Sequence, residues 1–294
     1  MKNSLTRRHF LKSSIAAAAG TAMASPLLAE EGVSWEIGCF NRPWGTWSYD
    51  TALDQMKAAG FQTTGLVGRH KQDPESLLSV DARVPYIKEL RERIHARGLK
   101  PLTAWMTVPR AKEQAEAVRL TNALTDRAQL LGLPWLLSGG PRSNEKVEDY
   151  SAVMKEAVRH AAEKGVKIAM KPHGLTGAQI IQTLELVNHD NFSIWYDAGN
   201  IIYYTGGDPI ADLKPLAPHV TGFCAKDCGG QKSPVMIQFG EGKVDFKGVF
   251  QVLMKAGFNG PVMIECTGTG ATAEETTKFA VQNRRFLTKV MKTI

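Results

Sequence analysis

The sequence predicts an α/β fold, a single closed (β/α)8 TIM barrel, and three observations lead to this prediction. Eight short apolar runs alternate with eight helix-length segments along the chain. Such alternation requires a mainly parallel sheet. Eight strand–helix units in about 265 residues match a closed barrel in number and length. The first strand–helix turn, residues 39–45, lacks the GxGxxG phosphate loop, which disfavours an open doubly wound sheet as the alternative.

The apolar runs and the segments between them fix the order of the elements. We predict strands at about 36–40, 61–67, 99–106, 134–138, 166–171, 192–197, 220–226 and 261–266. We predict helices at about 49–59, 83–97, 113–131, 145–164, 176–188, 208–216, 246–256 and 273–293. Glycine commonly follows the end of a helix, and four predicted helices are followed in this way, by Gly60, Gly98, Gly165 and Gly257. The fourth helix has an apolar face with helical periodicity, formed by Tyr150, Val153, Met154, Ala157, Val158 and Ala161.

The first 29 residues have the pattern of an export signal. Arg7 and Arg8 precede Phe-Leu-Lys and an alanine-rich apolar stretch, and cleavage motifs end at Ala24 and Ala29. Paired arginines are typical of the twin-arginine signal, which directs folded proteins across the bacterial inner membrane. The stretch is shorter than the ~20 residues of a spanning helix, and a chance arginine pair before an uncleaved anchor is the alternative. We therefore predict a signal at 1–29, a barrel domain at 30–294, and a periplasmic protein with no stable membrane span after processing.

The net charge of +7 does not indicate a nucleic-acid partner. The signal region holds four of the 36 basic residues and no acidic ones, which leaves 32 basic against 29 acidic residues. No dense Lys/Arg stretch is interleaved with aromatic residues, so we predict no nucleic-acid binding. An oxidising compartment would permit disulfides, but the four cysteines form no CxxC pair. We predict that they are buried small hydrophobic residues.

The last four predicted strands end in polar side chains that an apolar core would not contain. These residues are Lys171 and His173 after the fifth strand, Asp197 after the sixth, Lys226 and Asp227 after the seventh, and Glu265 after the eighth. The carboxyl ends of parallel barrel strands meet at one face, so these groups should converge. Convergent ionisable groups on a rigid sheet indicate an active site.

These strand ends resemble motifs of the xylose isomerase-like barrels, which include sugar isomerases, sugar epimerases, inosose dehydratases and endonuclease IV. The motifs that carry the resemblance are Lys171-Pro172-His173-Gly174, Trp195-Tyr196-Asp197-Ala198-Gly199-Asn200, Ala225-Lys226-Asp227, Gly240-Glu241-Gly242 and Ile264-Glu265. The resemblance implies a metal site, because metal-dependent members hold a divalent cation with two Glu, one Asp and one His near the ends of strands five to eight. The corresponding residues here are Lys171, Asp197, Cys224 and Glu265, so two of the four match.

Lys171, at the first of these positions, disfavours the usual metal site. Replacing a carboxylate by an ammonium would repel a divalent cation at contact distance. The ammonium of Lys171 could instead occupy the cation's place, pair with Asp197 and Glu265, and stabilise an enolate. If it lost its proton, it could act as a base or form a Schiff base; a structural salt bridge in a decayed site is the other alternative. We expect no cofactor, with manganese or zinc on His173, Asp197 and Glu265 left open as a shifted metal site.

Aromatic and polar side chains near the strand ends suggest a carbohydrate ligand. Aromatic faces stack on sugar rings, and Trp44, Trp47, Trp105, Tyr203 and Tyr204 are placed to do so. We predict substrate contacts from Trp44, His70, Trp105, Asn200, Lys226 and Asp227. For His70 an ordinary surface histidine is the alternative, and we place Trp135 and Trp195 in the core.

The sequence therefore predicts a periplasmic sugar isomerase- or epimerase-like enzyme that acts on an unphosphorylated sugar or keto-sugar. Its chemistry would be proton abstraction next to a carbonyl. We expect Glu265 as the general base, Lys171 as the electrophile, Asp197 as the orienting group and His173 as a second acid or base. A keto-glycoside lyase or hydratase, and a non-catalytic sugar-binding protein on the same barrel, are the alternatives. The expected partners are a small-molecule carbohydrate and the twin-arginine export machinery.

Overall fold

Eight parallel strands close into a barrel in the computed structural model, which describes residues 32–73, 77–108 and 111–294. The export signal predicted at 1–29 lies outside these residues. Each strand pairs with its neighbours in chain order, and β8 pairs with β1 to close the barrel. The strands are β1 Ile37–Phe40, β2 Thr63–Leu66, β3 Lys100–Trp105, β4 Trp135–Ser138, β5 Lys167–Met170, β6 Phe192–Tyr196, β7 Val220–Ala225 and β8 Val262–Ile264.

A helix follows each strand and packs on the outside of the barrel. The helices are α1 Tyr49–Ala58, α2 Val84–Ala96, α3 Gln114–Leu131, α4 Val147–Glu163, α5 Gly177–Val187, α6 Pro209–Leu216, α7 Phe246–Lys255 and α8 Ala273–Met291. The ends of all predicted strands and helices agree with these bounds to within two residues. The predicted (β/α)8 barrel is therefore confirmed. Among the described residues, no helix is long and apolar enough to cross a membrane.

Helix α4 illustrates how the sequence produces these elements. Its apolar face is buried against the barrel, and Tyr150, Met154 and Ala157 belong to it. The chain leaves the helix at Gly165, which has a φ of 69°. Residues with a Cβ rarely adopt this left-handed backbone conformation, so glycine allows the sharp return into β5.

Large side chains fill the inside of the barrel. Trp135 and Trp195 lie there with ring centroids 5.7 Å apart, as predicted for core residues. Trp195 packs so closely on β7 that a Cβ at Gly222 would lie 2.2 Å from its ring. All four cysteines are free and buried, which confirms the prediction that they are small core residues. The filled interior leaves the mouth of the barrel, at the carboxyl ends of the strands, as the place for a site.

Candidate active site

Charged side chains from four strand ends meet at the mouth of the barrel. Lys171 follows β5, Asp197 follows β6, Lys226 follows β7 and Glu265 follows β8. Parallel strands deliver these residues to one face, as expected. The side chains of all four are at most 5% exposed. We call these four residues, together with Arg42, the charged cluster.

Two lysine ammonium groups bridge two carboxylates in this cluster. The Nζ of Lys171 contacts Glu265 Oε2 and lies 3.0 Å from Asp197 Oδ2. The Nζ of Lys226 lies 3.0 Å from the same Asp197 oxygen and 3.7 Å from Glu265 Oε2. Each carboxylate therefore faces both ammonium groups, and burial keeps water from screening these contacts.

Arg42 completes the cluster and was not identified from the sequence. It begins a short 3₁₀ helix, Arg42–Trp44, just after β1. Its Nη1 lies 2.5 Å from Glu265 Oε1, the oxygen that the lysines leave unpaired. Its side chain is 40% exposed, in contrast to the lysines. A basic residue two positions after a strand was the only signal in the sequence, and it lies outside the motifs that carried the family resemblance.

The charges in the cluster fix the protonation states of its members. Burial alone would lower the pKa of Lys171, but the charges of Glu265 and Asp197 outweigh burial and raise it. The pKa of Lys226 is raised by Asp197 in the same way. Burial alone would raise the pKa of Glu265, but Lys171, Lys226 and Arg42 hold it well below its usual range. Both lysines are therefore ammonium ions and Glu265 is a carboxylate near neutral pH.

These protonation states disfavour two predicted roles. Glu265 was expected to be the general base, but both of its oxygens contact cations and its pKa is depressed. A carboxylate of such low basicity is a poor proton acceptor. Asp197 and Glu265 raise the pKa of Lys171, which disfavours the alternative of a neutral lysine that forms a Schiff base.

His173 lies beside the cluster as a neutral imidazole. Its Nδ1 lies 2.8 Å from the carbonyl oxygen of Lys171. Because a carbonyl only accepts, Nδ1 carries the proton and Nε2 carries the lone pair. Burial, reinforced by the positive charge of Lys171, lowers the pKa of His173 to about 4. The lone pair at Nε2 is therefore free of a proton at neutral pH.

Aromatic rings flank this imidazole on two sides. The ring of Trp105 lies 5.0 Å and the ring of Tyr204 lies 5.3 Å from that of His173, both edge to face. Trp105 is partly exposed, and the Nζ of Lys171 lies 5.9 Å from its ring centroid. A cavity of about 740 Å³ opens between the loops after β3 and β4, with Trp105 and His173 in its lining. This cavity is large enough for a sugar.

Asn200 connects the cluster to the loop that follows β5. Its Oδ1 contacts the Nζ of Lys226, and its Nδ2 donates to the carbonyl of Pro172 at 3.0 Å. Its backbone N–H donates to Asp197 Oδ1 at 2.9 Å. Through this bond Asp197 caps a helical turn, Ala198–Asn200. The turn continues as a π-helix, Ile201–Thr205, which carries Tyr204. Asn200 thus lies at the site, with both of its amide atoms already engaged by the protein.

The structure places two predicted substrate contacts away from the cluster. Trp44 is fully buried, and its indole N–H donates to the carbonyl of Ala273 and to Thr277 on α8 at 3.2 Å. His70 is also buried, so the surface alternative is wrong too; its Nδ1 donates to the carbonyl of Trp47 at 2.9 Å. The prediction that these two residues face the substrate is not met, because the 3₁₀ helix after β1 turns Trp44 inward and the loop backbone occupies His70.

Asp227 holds a loop instead of facing the cluster. Its carboxylate accepts four backbone N–H groups, from Cys228, Gly240, Gly242 and Val244, at 2.8–3.1 Å. Strand alternation turns it away from the neighbouring Lys226. A carboxylate with four donors has no free lone pair for a sugar hydroxyl. The predicted substrate contact of Asp227 is therefore wrong, and its role is to fix the segment after β7.

The residues at the metal positions of the family do not fit a divalent cation. The ammonium groups of Lys171 and Lys226 contact the carboxylate oxygens that would bind one. Burial raises the pKa of the Cys224 thiol, which packs inside the barrel with Trp195 and is not a thiolate ligand. In residues 32–294, leaving aside the two short gaps, no three His, Cys, Asp or Glu side chains are grouped to hold a metal ion. The shifted set of His173, Asp197 and Glu265 is therefore not assembled.

Comparison with known proteins agrees with this architecture. The family model described as "Xylose isomerase-like TIM barrel" matches residues 53–289, and a twin-arginine translocation signal model matches residues 4–24. The chain is 20% identical over 287 residues to an inosose dehydratase of Lacticaseibacillus casei, covering 83% of this chain and 90% of that protein. It is 22% identical over 281 residues to an inosose dehydratase of Klebsiella pneumoniae, covering 82% and 89%.

Solved structures show the same fold. A xylose isomerase domain protein from Alicyclobacillus acidocaldarius superposes with a TM-score of 0.70 at 17% identity, covering 88% of this chain and all of that one. An L-ribulose 3-epimerase superposes with a TM-score of 0.68 at 15% identity, covering 88% and 95%. The signal match supports export through the twin-arginine pathway. On the family-model match and the closed barrel, this chain belongs to the xylose isomerase-like TIM barrel family.

Proposed function

We propose that this protein is a periplasmic enzyme that removes a proton next to a carbonyl of an unphosphorylated sugar or keto-sugar. The observation that carries this proposal is the neutral imidazole of His173 beside two ammonium groups that are held in place by carboxylates. A base and an electrophile side by side are what enolate chemistry requires. The named relatives, inosose dehydratases and sugar epimerases, support a reaction of this class.

In the proposed reaction His173 is the general base. Its Nε2 takes the proton from the carbon next to the carbonyl, while the bond between Nδ1–H and the Lys171 carbonyl keeps the ring in place. The pKa of about 4 makes this a weak base. It can serve only if the developing negative charge is strongly stabilised.

Lys171 and Lys226 supply that stabilisation. Negative charge grows on the carbonyl oxygen as the proton leaves, and two fixed ammonium groups in a buried site stabilise it without reorganisation. Asp197 and Glu265 hold the ammonium groups rather than taking protons themselves. Trp105 and Tyr204 would pack against the sugar beside His173.

The export signal bears on the substrate and on the compartment. Sugar phosphates are mainly cytoplasmic, so an exported enzyme should meet unphosphorylated sugars. We propose that the mature protein is periplasmic, and that the signal covers 1–29 and the barrel domain 30–294, with cleavage after Ala24 or Ala29.

A lyase is the second candidate, and one observation favours it. Epimerisation needs a second proton donor on the opposite face of the enolate, whereas elimination needs one base and a leaving group. Among the described residues of the cluster and its surroundings, His173 is the one neutral basic group, since both carboxylates are paired with cations. The same base and ammonium groups would expel a hydroxyl or a glycosidic oxygen from the next carbon.

Deuterium exchange tests this proposal directly. The mature protein is incubated in D2O with D-allulose, D-fructose, an inosose and a 3-ketoglucoside, and exchange next to the carbonyl is followed by NMR. We expect exchange with at least one of these compounds, and a product lighter by water or by the aglycone identifies a lyase. The His173→Gln variant should lose about 10²- to 10⁴-fold in rate.

The control variant is His160→Gln, which removes a histidine that pairs with Asp126 at the surface. It should exchange at the wild-type rate. Equal exchange by wild type and His173→Gln would refute the assignment of the base. Sugar binding without exchange or product from any compound would favour the non-catalytic binding protein.

A further inference from the structure

The charged cluster carries more positive than negative charge, and this surplus bears on the substrate. We propose that the substrate is a sugar acid with a single carboxylate, and that Arg42 binds this carboxylate. The inference rests on the proposed function for the reaction, but its statement about binding is independent of turnover. Nothing in the family resemblance identifies Arg42, which lies in the loop after β1.

The surplus follows from the contacts and protonation states. Arg42, Lys171 and Lys226 are three cations, and Asp197 and Glu265 are two anions, so the cluster has a net charge of +1. The neighbouring imidazole is neutral at neutral pH, and burial keeps the nearby thiols protonated. The carboxylate of Asp227, the residue after Lys226, faces away into a loop and accepts four backbone N–H groups.

Arg42 is the most exposed member of the cluster. Its side chain is 40% exposed, whereas those of Lys171 and Lys226 are 3% and 5% exposed. Within the described part of the chain, the guanidinium has one side-chain partner, Glu265, which contacts Nη1. The remaining N–H groups of the fork have no partner there. A guanidinium edge binds a carboxylate through two parallel hydrogen bonds, which a neutral hydroxyl cannot reproduce.

The size of the surplus favours a monoanion. One carboxylate would bring the net charge of the cluster to zero, whereas a phosphate dianion would overshoot to a negative value in a buried site, which is costly. The described lining of the nearby cavity has no surplus of positive charge. Among the described residues that line it, the charged ones are two cations and three anions, Lys112, Arg142, Glu113, Glu145 and Asp149. The cavity would therefore take the neutral, hydroxylated part of the substrate.

Isothermal titration calorimetry of the mature protein tests the inference with matched ligand pairs. The probes are D-glucuronate, D-galacturonate and D-mannuronate, each paired with the neutral hexose of the same configuration, and D-glucose 6-phosphate. We expect at least one uronate to bind about tenfold or more tightly than its neutral partner and more tightly than the phosphate. Arg42→Gln should abolish this preference. Arg119→Gln, which removes a surface arginine paired with Glu116 on α3, should keep it.

The alternative outcomes each count against the inference. Equal affinity for uronate and hexose, tighter binding of the phosphate, no binding of any uronate, or an unchanged preference in a folded Arg42→Gln protein would overturn it. The two proposals fail separately. Exchange on a neutral keto-sugar without uronate binding would refute the carboxylate and leave the enolate chemistry intact. Uronate binding without deuterium exchange on the bound uronate or on any neutral compound would do the reverse.

Discussion

The stability of the charged cluster can be tested by removing its central ammonium group. In the Lys171→Met variant, a side chain of similar length replaces a charge that contacts Asp197 and Glu265 within a site at most 5% exposed. Removing one partner of a buried ion pair lowers the free energy of unfolding by about 3–5 kcal/mol, because the remaining charge stays buried without its partner. Solvent screening does not reduce this cost at such burial. Lys226 and Arg42 still pair with the carboxylates, so we expect the lower half of that range.

Urea denaturation provides the measurement. It should show a loss of about 3 kcal/mol in the free energy of unfolding. Thermal unfolding of the same variant should show a melting temperature lower by roughly 6–12 °C for a domain near this size. The control is Lys164→Met, which removes an ammonium 3.4 Å from Asp126 in a pair whose side chains are 36% and 38% exposed. An exposed pair of this kind contributes less than about 1 kcal/mol.

A double-mutant cycle separates the charge interaction from other effects of the substitution. In Lys171→Met/Glu265→Gln both partners are neutral, so the double variant should be less destabilised than the sum of the single variants by about 2–3 kcal/mol. Additive losses, or a cost for Lys171→Met no larger than that of Lys164→Met, would refute the reasoning. Either result would mean that the two charges do not stabilise each other in the folded protein.

Three further predictions concern pH, loop stability and the thiols. His173 is neutral in the fold with a pKa of about 4, so folding stability should fall as the pH drops from about 6.5 to 4, by up to about 3 kcal/mol. Urea midpoints should show this slope and lose it in His173→Gln. Asp227→Asn should expose the Gly240 and Gly242 amides to faster hydrogen exchange, because a charged acceptor of both is lost; unchanged exchange would contradict this. Thiol titration should give four free thiols in the denatured protein and none reactive in the native fold; fewer than four would reveal a disulfide.

The barrel and most of its cluster were predictable because they follow from patterns along the chain. The strands are mostly buried apolar runs, the last four end where a charged residue follows, and parallel closure brings those ends together. Lys171, Asp197 and Glu265 were found in this way. Their contacts with one another were also expected, since opposite charges in a buried site must pair.

The remaining features depend on loop conformation, which has no periodic signal. The loop after β1 was expected to present Trp44 to the substrate, but its 3₁₀ helix buries Trp44 and brings Arg42 to Glu265. The protonation states could not be predicted from the sequence either, because they depend on how many cations surround Glu265. Sequence spacing alone did not show that Asp227 turns into its own loop.

The ion pair between Arg42 and Glu265 has a consequence for how the protein matures. It joins residues 223 positions apart and lies where β1 meets β8, the last pairing needed to close the barrel. Contacts of such high sequence separation form late, because the chain entropy must be lost first. A chain that is still open at this seam has no complete cluster. Since the twin-arginine pathway carries folded proteins, export by the route that the signal match supports requires the seam to close in the cytoplasm, and the site would leave that compartment already assembled.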